Sequence, residues 1–340
     1  MGTLPHIVED CAGVLQLYSD GTVFRSMNLD FSWVRVVEDN SVVFKDCLFD
    51  KNYSLYLRLY KPAPDVGVSV STTTPETSKI PVVYYFHGGG FCLGSRSWPN
   101  SHICCTRLAS GLGALVVAPD YRLAPEHRLP AAIDDALEAV KWLRDQAESL
   151  GGLEEGKNGG CDGWLTNCVD FDRVFIVGDS SGGNMAHHLA VRLSNEAAAE
   201  ELMPVRVRGY ILLAPFFGGV DRTRSEEGPS EALLNLEILD RFWRLAMPTG
   251  ADRDHPLVNP FGPTSPSLER AALGPILAMV GGDELLKDRV HEYTRRLLSM
   301  GKAVEYVELE GKQHGFFTNN PYSDIGGQMI ELIKEFMLKC

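Results

Sequence analysis

Several features that define large classes of protein are missing from this chain of 340 residues. It has no run of eighteen or more apolar residues, so we expect no membrane-spanning helix. Residues 1–8 carry no basic stretch followed by an apolar one, so the sequence predicts no secretory signal. Basic residues are in deficit, with 32 Lys and Arg against 45 Asp and Glu, and the net charge is −13. This balance disfavours nucleic acid and anionic membrane surfaces as partners.

The eight cysteines follow neither the spacing of a metal site nor that of a disulfide framework. Two of them, Cys104 and Cys105, are adjacent, and neighbours in sequence do not readily form an ordinary bridge. His102, His127 and His255 have no cysteine or carboxylate partner at metal-ligand spacing. We therefore expect no metal, reduced thiols and a cytoplasmic location, with the nucleus as a second compartment.

Strands and helices alternate along most of the chain. Continuous apolar runs, typical of parallel strands that are covered on both faces, occur at residues 80–86, 114–118, 174–177, 209–214 and 276–280. Segments of helical length with one apolar face occur at residues 131–149, 185–193, 286–300 and 327–338. This pattern predicts a single α/β domain over residues 1–340, with a mostly parallel central sheet flanked by helices. A β-hairpin within residues 42–62 would form the antiparallel edge of that sheet.

Two regions do not fit the alternation, residues 1–40 and residues 216–263. In an open α/β sheet, ligands bind beyond the carboxyl ends of the strands. We therefore expect these two regions to form a helical cap over that edge rather than a second domain.

A nucleophile motif follows the predicted strand at residues 174–177. Residues 178–183 read Gly-Asp-Ser-Ser-Gly-Gly and open the next helix, which is the Gly-x-Ser-x-Gly pattern in a strand-turn-helix context. In α/β hydrolases such a sharp turn presents the serine hydroxyl at the top of the sheet. The motif predicts Ser180 as the nucleophile.

A glycine-rich motif, His-Gly-Gly-Gly-Phe at residues 87–91, directly follows the predicted strand at residues 80–86. Acyl transfer places negative charge on the carbonyl oxygen, and backbone N–H groups fixed in advance stabilise that charge. Gly88, Gly89 and Gly90 let the backbone approach this oxygen closely. The N–H of Ser181, just after the nucleophile, should complete the oxyanion hole.

A base and an orienting acid should follow the serine, in the order Asp or Glu and then His. His314 comes just after the predicted strand Val304–Leu309, where a loop would bring it over Ser180. Asp283 lies at the end of the strand at residues 276–280, so we expect it to orient the imidazole. Asp288, within the next predicted helix, is the alternative.

With these residues in place, the chain resembles the hormone-sensitive-lipase family of esterases and, within it, the plant carboxylesterases. The resemblance covers nearly the whole chain and rests on residues 87–91, the Asp-Tyr-Arg-Leu-Ala-Pro-Glu stretch at 120–126, residues 178–183, Asp283 and the His-Gly-Phe at 314–316. It implies an α/β-hydrolase fold, Ser180 as nucleophile, and the amides of Gly89, Gly90 and Ser181 as oxyanion donors. It also implies that residues 1–39 form part of the cap.

Residues 8–23 and 91–98 look most like the carboxylesterase 15 group, a resemblance that implies strigolactone hydrolysis. The same branch includes gibberellin receptors, which have lost the catalytic histidine, whereas His314 is present here. We therefore expect a serine esterase that needs no metal or organic cofactor. Three alternatives stay open: a receptor that hydrolyses slowly, a dehydratase and an acyltransferase.

The expected substrate is a small hydrophobic ester or lactone, bound by a protein that is a monomer or a homodimer. The principal candidates for lining its pocket are aromatic, namely Phe91, Trp98, Phe216 and Phe316. Further candidates are Phe217, Phe242, Trp243 and Met247. Arg96 is a candidate polar contact, with a solvated surface charge as the alternative.

Overall fold

A computed structural model of the chain describes residues 4–37, 39–63, 79–151, 163–165 and 168–340. The strands of this part are β1 (Ile7–Cys11), β2 (Leu15–Tyr18), β3 (Val23–Arg25), β4 (Val42–Asp50), β5 (Leu55–Pro62), β6 (Ile80–Phe86), β7 (Leu115–Pro119), β8 (Val169–Asp179), β9 (Val207–Leu213), β10 (Ile276–Gly281) and β11 (Val304–Leu309). The helices are α1 (Pro99–Leu112), α2 (Ala131–Gly151), α3 (Ser181–Leu193), α4 (Glu196–Glu200), α5 (Leu236–Ala246), α6 (Lys287–Ser299), α7 (Phe316–Asn319) and α8 (Asp324–Lys339).

The central sheet has eight strands in the order β11-β10-β9-β8-β6-β7-β5-β4. Strands β6 to β11 are parallel, and the β4–β5 hairpin adds the antiparallel edge. The inner strands β6, β7 and β10 are buried almost throughout, whereas the edge strand β4 is largely exposed or half-buried. These features confirm the predicted α/β fold with a mostly parallel sheet, because apolar runs without alternation require cover on both faces.

Each face of the sheet is covered by its own set of helices. On β6, Val82 and Tyr84 join the core beneath α2 and α3, and their neighbours Val83 and Tyr85 join the core beneath α1 and α8. Successive side chains of a strand point to opposite faces, so one strand serves both cores. Full burial of each valine contributes about 1.5–3 kcal/mol to stability.

No helix of the described part of the chain is long and apolar enough to cross a bilayer.

The prediction of a helical N-terminal region is wrong, because β1, β2 and β3 form a separate antiparallel sheet. The turn between β1 and β2 is closed by the Asp10 carboxylate, which accepts a hydrogen bond from the N–H of Gly13 at 2.6 Å. The turn at residues 12–14 interrupts the chain, and Leu15, Gln16 and Leu17 alternate apolar with polar, which suits a strand rather than a helix. The sheet is tied to α5 by Glu9, whose carboxylate pairs with Arg241 at 3.3 Å and with Arg244 at 2.5 Å.

Residues 216–263, called the insertion from here on, lie between β9 and β10 and contain one long helix, α5. Asn235 starts this helix, since its side chain accepts a hydrogen bond from the N–H of Ile238. The buried face of α5 carries apolar side chains, and the rest of the insertion follows turns and extended segments. The insertion is therefore helical only in part.

Candidate active site

Ser180 occupies the sharp turn between β8 and α3 and adopts φ +54° and ψ −113°. Such a backbone costs a non-glycine residue on the order of 1–3 kcal/mol and persists only where the surroundings impose it. Here the N–H of Ser180 donates to the carbonyl of Leu213, and its own carbonyl accepts from the N–H of Phe216, both at 2.8 Å. A Cβ at Gly182 would lie 2.0 Å from the Phe86 carbonyl oxygen, so only glycine fits there. The elbow expected from the sequence is present.

His314 lies in the turn between β11 and α7, where its Nδ1 is hydrogen bonded to Oε1 of Glu284. The imidazole is 9% exposed and the Glu284 side chain is fully buried. Because an ionised carboxylate can only accept, Nδ1 carries the proton and Nε2 is left as the basic nitrogen. The second oxygen of Glu284 accepts from the N–H of Gly281 at 2.9 Å, which fixes the carboxylate. The pair has the arrangement of a general base with an orienting acid.

The assignment of Asp283 as the residue that orients His314 does not agree with this geometry. Asp283 is exposed, and its backbone N–H donates to the carbonyl of Lys312 at 3.0 Å. The chain leaves β10 so that Asp283 turns to solvent and the next residue, Glu284, turns inward. Asp288, the alternative, binds the backbone N–H of Ser225 in the insertion. The rule that either Asp or Glu can hold this position was the signal for Glu284.

The electrostatics around His314 are dominated by carboxylates. Burial by itself lowers the pKa of the ring, but the charge and hydrogen bond of Glu284, with the charges of Asp179 and Glu231, outweigh it and raise the pKa of His314 above its usual value. Burial also raises the pKa of Asp179, while the charge of His314 opposes that shift. The site is built to stabilise an imidazolium ion.

The glycine-rich turn after β6 lies beside Ser180. Gly89 has φ +118°, and a Cβ there would lie 2.2 Å from the Leu93 carbonyl oxygen, so the turn requires glycine. In the part of the chain that the structure describes, the N–H groups of Gly89, Gly90 and Ser181 donate to no other backbone group. Gly88 packs against Ser180, since a Cβ at Gly88 would lie 3.1 Å from that of Ser180. The arrangement leaves donors free for an oxyanion.

These groups meet at a cavity of about 90 Å³. Its walls are formed by Gly89, Gly90, Ser180, Phe216, Leu234, Leu239, Phe242 and His314. All the side chains except the serine and histidine are apolar, so the cavity suits an uncharged group. Leu234 and Leu239 were not among the predicted lining residues, because a leucine carries no local pattern that separates a cavity wall from the core. Among the described residues there is no cluster of three potential metal ligands.

Three of the four principal aromatic candidates lie outside this cavity. Phe91 is buried in the core, with ring centroids 6.4 Å from Phe216 and 6.0 Å from Trp243. Trp98 packs edge to face against Phe31 of the N-terminal region at 5.2 Å. Phe316 begins α7 and packs against the core beneath α1 and α8. Of the four, Phe216 alone lines the cavity. The other three were predicted from their closeness in sequence to a motif, and that closeness does not set the direction of a side chain.

Arg96 has a structural explanation. Its guanidinium pairs with the carboxylates of Asp46 and Asp120, and it lies over the ring of Tyr56. It therefore links the β4–β5 hairpin to the segment after β7 and does not line the cavity.

Comparison with known proteins agrees with this geometry. Residues 83–318 match the family described as having the α/β-hydrolase fold. The chain is 34% identical over 333 residues to the probable carboxylesterase 8 of Arabidopsis thaliana, covering 96% of this chain and 92% of that one. It is 37% identical over 303 residues to a gibberellin receptor of the same plant, covering 86% and 81%.

Among solved structures, an esterase of Pyrobaculum calidifontis superposes with a TM-score of 0.67 at 27% identity, covering 87% of this chain and 84% of that one. Carboxylesterase relatives and esterase structures agree on a carboxylic ester hydrolase. The chain belongs to the α/β-hydrolase fold family and, within it, to the plant carboxylesterases.

Proposed function

We propose that the protein is a serine carboxylesterase that hydrolyses small apolar esters through Ser180, His314 and Glu284. The observation that carries the proposal is that His314, oriented by the buried contact of its Nδ1 with Glu284, lines the same small cavity as Ser180. A buried acid, an oriented imidazole and a serine on a strained turn are the three parts of a nucleophilic acyl-transfer site.

The proposed reaction has two halves. His314 accepts the proton of Ser180 through Nε2 as the serine oxygen attacks the ester carbonyl, and Glu284 stabilises the imidazolium. The amides of Gly89, Gly90 and Ser181 hold the oxyanion, where each donor contributes roughly 2.7–4 kcal/mol. The alcohol leaves with the proton of His314, which gives an acyl-enzyme. Water activated by the same imidazole then releases the acid.

The shape of the site restricts the substrate that we propose. A cavity of about 90 Å³ with apolar walls accepts a compact uncharged group next to Ser180, and the insertion supplies Leu234, Leu239 and Phe242 to those walls. Residues 1–40 and 216–263 are in this proposal the cap of a single hydrolase domain. We expect the cap to exclude water while the carbonyl reacts.

The resemblance to the carboxylesterase 15 group makes a strigolactone the natural substrate to test first. The reactive carbonyl of such a hormone belongs to a butenolide, a compact uncharged ring, which agrees with the apolar walls of the cavity. A cytoplasmic location, a monomeric or homodimeric state and independence of nucleic acid remain predictions.

A receptor function is the second candidate, because a gibberellin receptor is 37% identical to this chain. The intact pair of His314 and Glu284 favours turnover over simple binding. Dehydration and acyl transfer use the same oxyanion donors, and they differ from hydrolysis in the mass of the product.

The test is hydrolysis of p-nitrophenyl acetate and of a strigolactone analogue, with products identified by mass, for the wild type and for Ser180→Ala. We expect multiple turnovers of both substrates in the wild type and of neither in the variant, which should keep its melting temperature. Hydrolysis that persists in Ser180→Ala would contradict the nucleophile. A single turnover would favour a receptor, and loss of water from the substrate would favour a dehydratase.

A further inference from the structure

A third carboxylate, which has no part in the reaction just described, lies beside the pair of His314 and Glu284. Glu231 belongs to the insertion, is 9% exposed and accepts two backbone hydrogen bonds. Its Oε1 accepts from the N–H of Leu285 and its Oε2 from the N–H of His314, both at 2.6 Å. Leu285 directly follows Glu284, so one side chain holds the loop of the acid and the loop of the base together.

The short segment that carries Glu231 also reaches the substrate cavity. The N–H of Glu231 donates to the Leu234 carbonyl at 2.8 Å, which closes a turn over residues 231–234. Leu234 lines the cavity at the end of this turn. At its centre, the N–H of Ala232 donates to the side chain of Gln313, next to the base, at 3.3 Å. The turn therefore contacts both the wall of the cavity and the loop of His314.

A carboxylate is an unusual choice for a purely structural link at this place. Burial and the charge of Glu284 raise the pKa of Glu231, while its hydrogen bonds from the His314 and Leu285 amides and the charge of His314 lower it. The group thus sits close to another carboxylate, at a cost that its two charge-assisted bonds offset only in part, since the pKa of Glu231 stays above its usual value. A carboxylate whose ionisation is opposed by burial and by a neighbouring charge is more easily explained by a role in function than by a role in stability.

We propose that Glu231 is a positioning residue, which sets the contact between His314 and Glu284 and couples that contact to the cavity wall at Leu234. The proposal rests on the esterase function proposed above. In its absence the loops after β10 and β11 would still be joined by the contact between His314 and Glu284 and by the bond from the Asp283 N–H to the Lys312 carbonyl, but no side chain would bind the backbone of both loops. A misplacement of about 1 Å in such a site costs up to about a hundredfold in rate.

The charge of Glu231 affects the pH dependence of the reaction, and a purely structural role of this residue would leave that pH dependence unchanged. Three carboxylates face His314: Glu284 from the loop after β10, Asp179 from the end of β8 and Glu231 from the insertion. Each of them favours the imidazolium form. Removal of the charge at Glu231 should therefore move the acid limb of the kcat/KM profile to lower pH, since the imidazole would then lose its proton more easily.

The experiment compares Glu231→Gln with Glu227→Gln, an exposed glutamate of the same region, in the full-length protein. The steady-state kinetics of p-nitrophenyl acetate hydrolysis give kcat, KM and the pH profile. Proton NMR of the low-field Nδ1–H of His314 reports its hydrogen bond to Glu284 whether or not the protein turns over. This second measurement separates failure of the positioning proposal from failure of the esterase proposal.

We expect Glu231→Gln to lower kcat by about ten- to a hundredfold with KM changed less than about twofold, and to shift or broaden the Nδ1–H resonance. Glu227→Gln should match the wild type in every measurement. An unchanged resonance and an unchanged acid limb in folded Glu231→Gln would overturn the proposal. If that variant does not fold, Glu231→Asp decides, since it keeps the charge but is too short to reach both amides. Wild-type kcat and resonance in Glu231→Asp would overturn the proposal as well.

Discussion

The contrast between Glu284 and Asp283, which are adjacent in sequence and opposite in environment, gives the sharpest test of the site. The Glu284 side chain is fully buried against His314, whereas Asp283 faces solvent. In the proposed reaction, Glu284→Gln removes the charge that stabilises the imidazolium formed in the transition state. The new amide would also be able to donate to Nδ1, which favours the tautomer with its proton on the wrong nitrogen.

The size of the effect follows from the burial of the pair. Two unit charges about 4 Å apart at an effective dielectric constant of about 20 attract each other by about 4 kcal/mol. At about 1.4 kcal/mol for each factor of ten, loss of that attraction lowers kcat by roughly a thousandfold. The wrong tautomer adds to this, so we expect a fall of about 10³ to 10⁴ in Glu284→Gln. The acid limb of its pH profile should also move to lower pH, because Glu284 raises the pKa of His314.

The assay is the hydrolysis of p-nitrophenyl acetate by both variants, with the melting temperature measured to confirm folding. Asp283→Asn is the matched control and should retain kcat within about twofold, as expected for an exposed substitution. A severe loss in Asp283→Asn together with high activity in folded Glu284→Gln would refute the reasoning. It would mean that the acid turns inward at Asp283 when substrate binds.

Three further predictions concern the base, the cavity and the N-terminal sheet. The kcat/KM should fall as the pH is lowered, because His314 must be neutral to accept a proton. The raised pKa of His314 places the midpoint of this fall above pH 6.5. A midpoint below about 6, measured on a stable ester, would contradict this prediction. Leu239→Ala should favour p-nitrophenyl butyrate over the acetate by about fourfold for each methylene admitted, and an unchanged ratio would exclude Leu239 from the acyl site. Arg25→Met removes the hydrogen bonds that Arg25 donates to the carbonyls of Cys92 and Ala124, at 2.7 and 2.8 Å. It should therefore lower the free energy of unfolding by about 2–3 kcal/mol. An unchanged midpoint of urea unfolding would show that Arg25 does not anchor the N-terminal sheet.

The parts of the protein that could be predicted from sequence are those fixed by local patterns. Apolar runs identified β6 and β10 because a strand covered on both faces is built mostly from apolar residues. The turn at Ser180 was recognisable because its neighbours Gly178 and Gly182 fill places where a Cβ would collide with backbone. His314 followed from its position after the last strand of the sheet. Each of these signals lies within a few residues of the feature that it predicts.

The sequence alone could not assign the acid, the cavity walls or the N-terminal sheet. A rotation of one residue at the end of β10 decides between Asp283 and Glu284, and only the packing of the following loop sets that rotation. Glu231 meets the amide of His314 across 83 positions of the chain, a distance over which no local pattern carries information. Thus local sequence determined the central sheet and the turn that carries Ser180, because turns and strands obey short-range rules. Tertiary structure decided the partners of His314 and the walls of the cavity, because these depend on how the loop after β10 and the insertion pack over the ends of the strands.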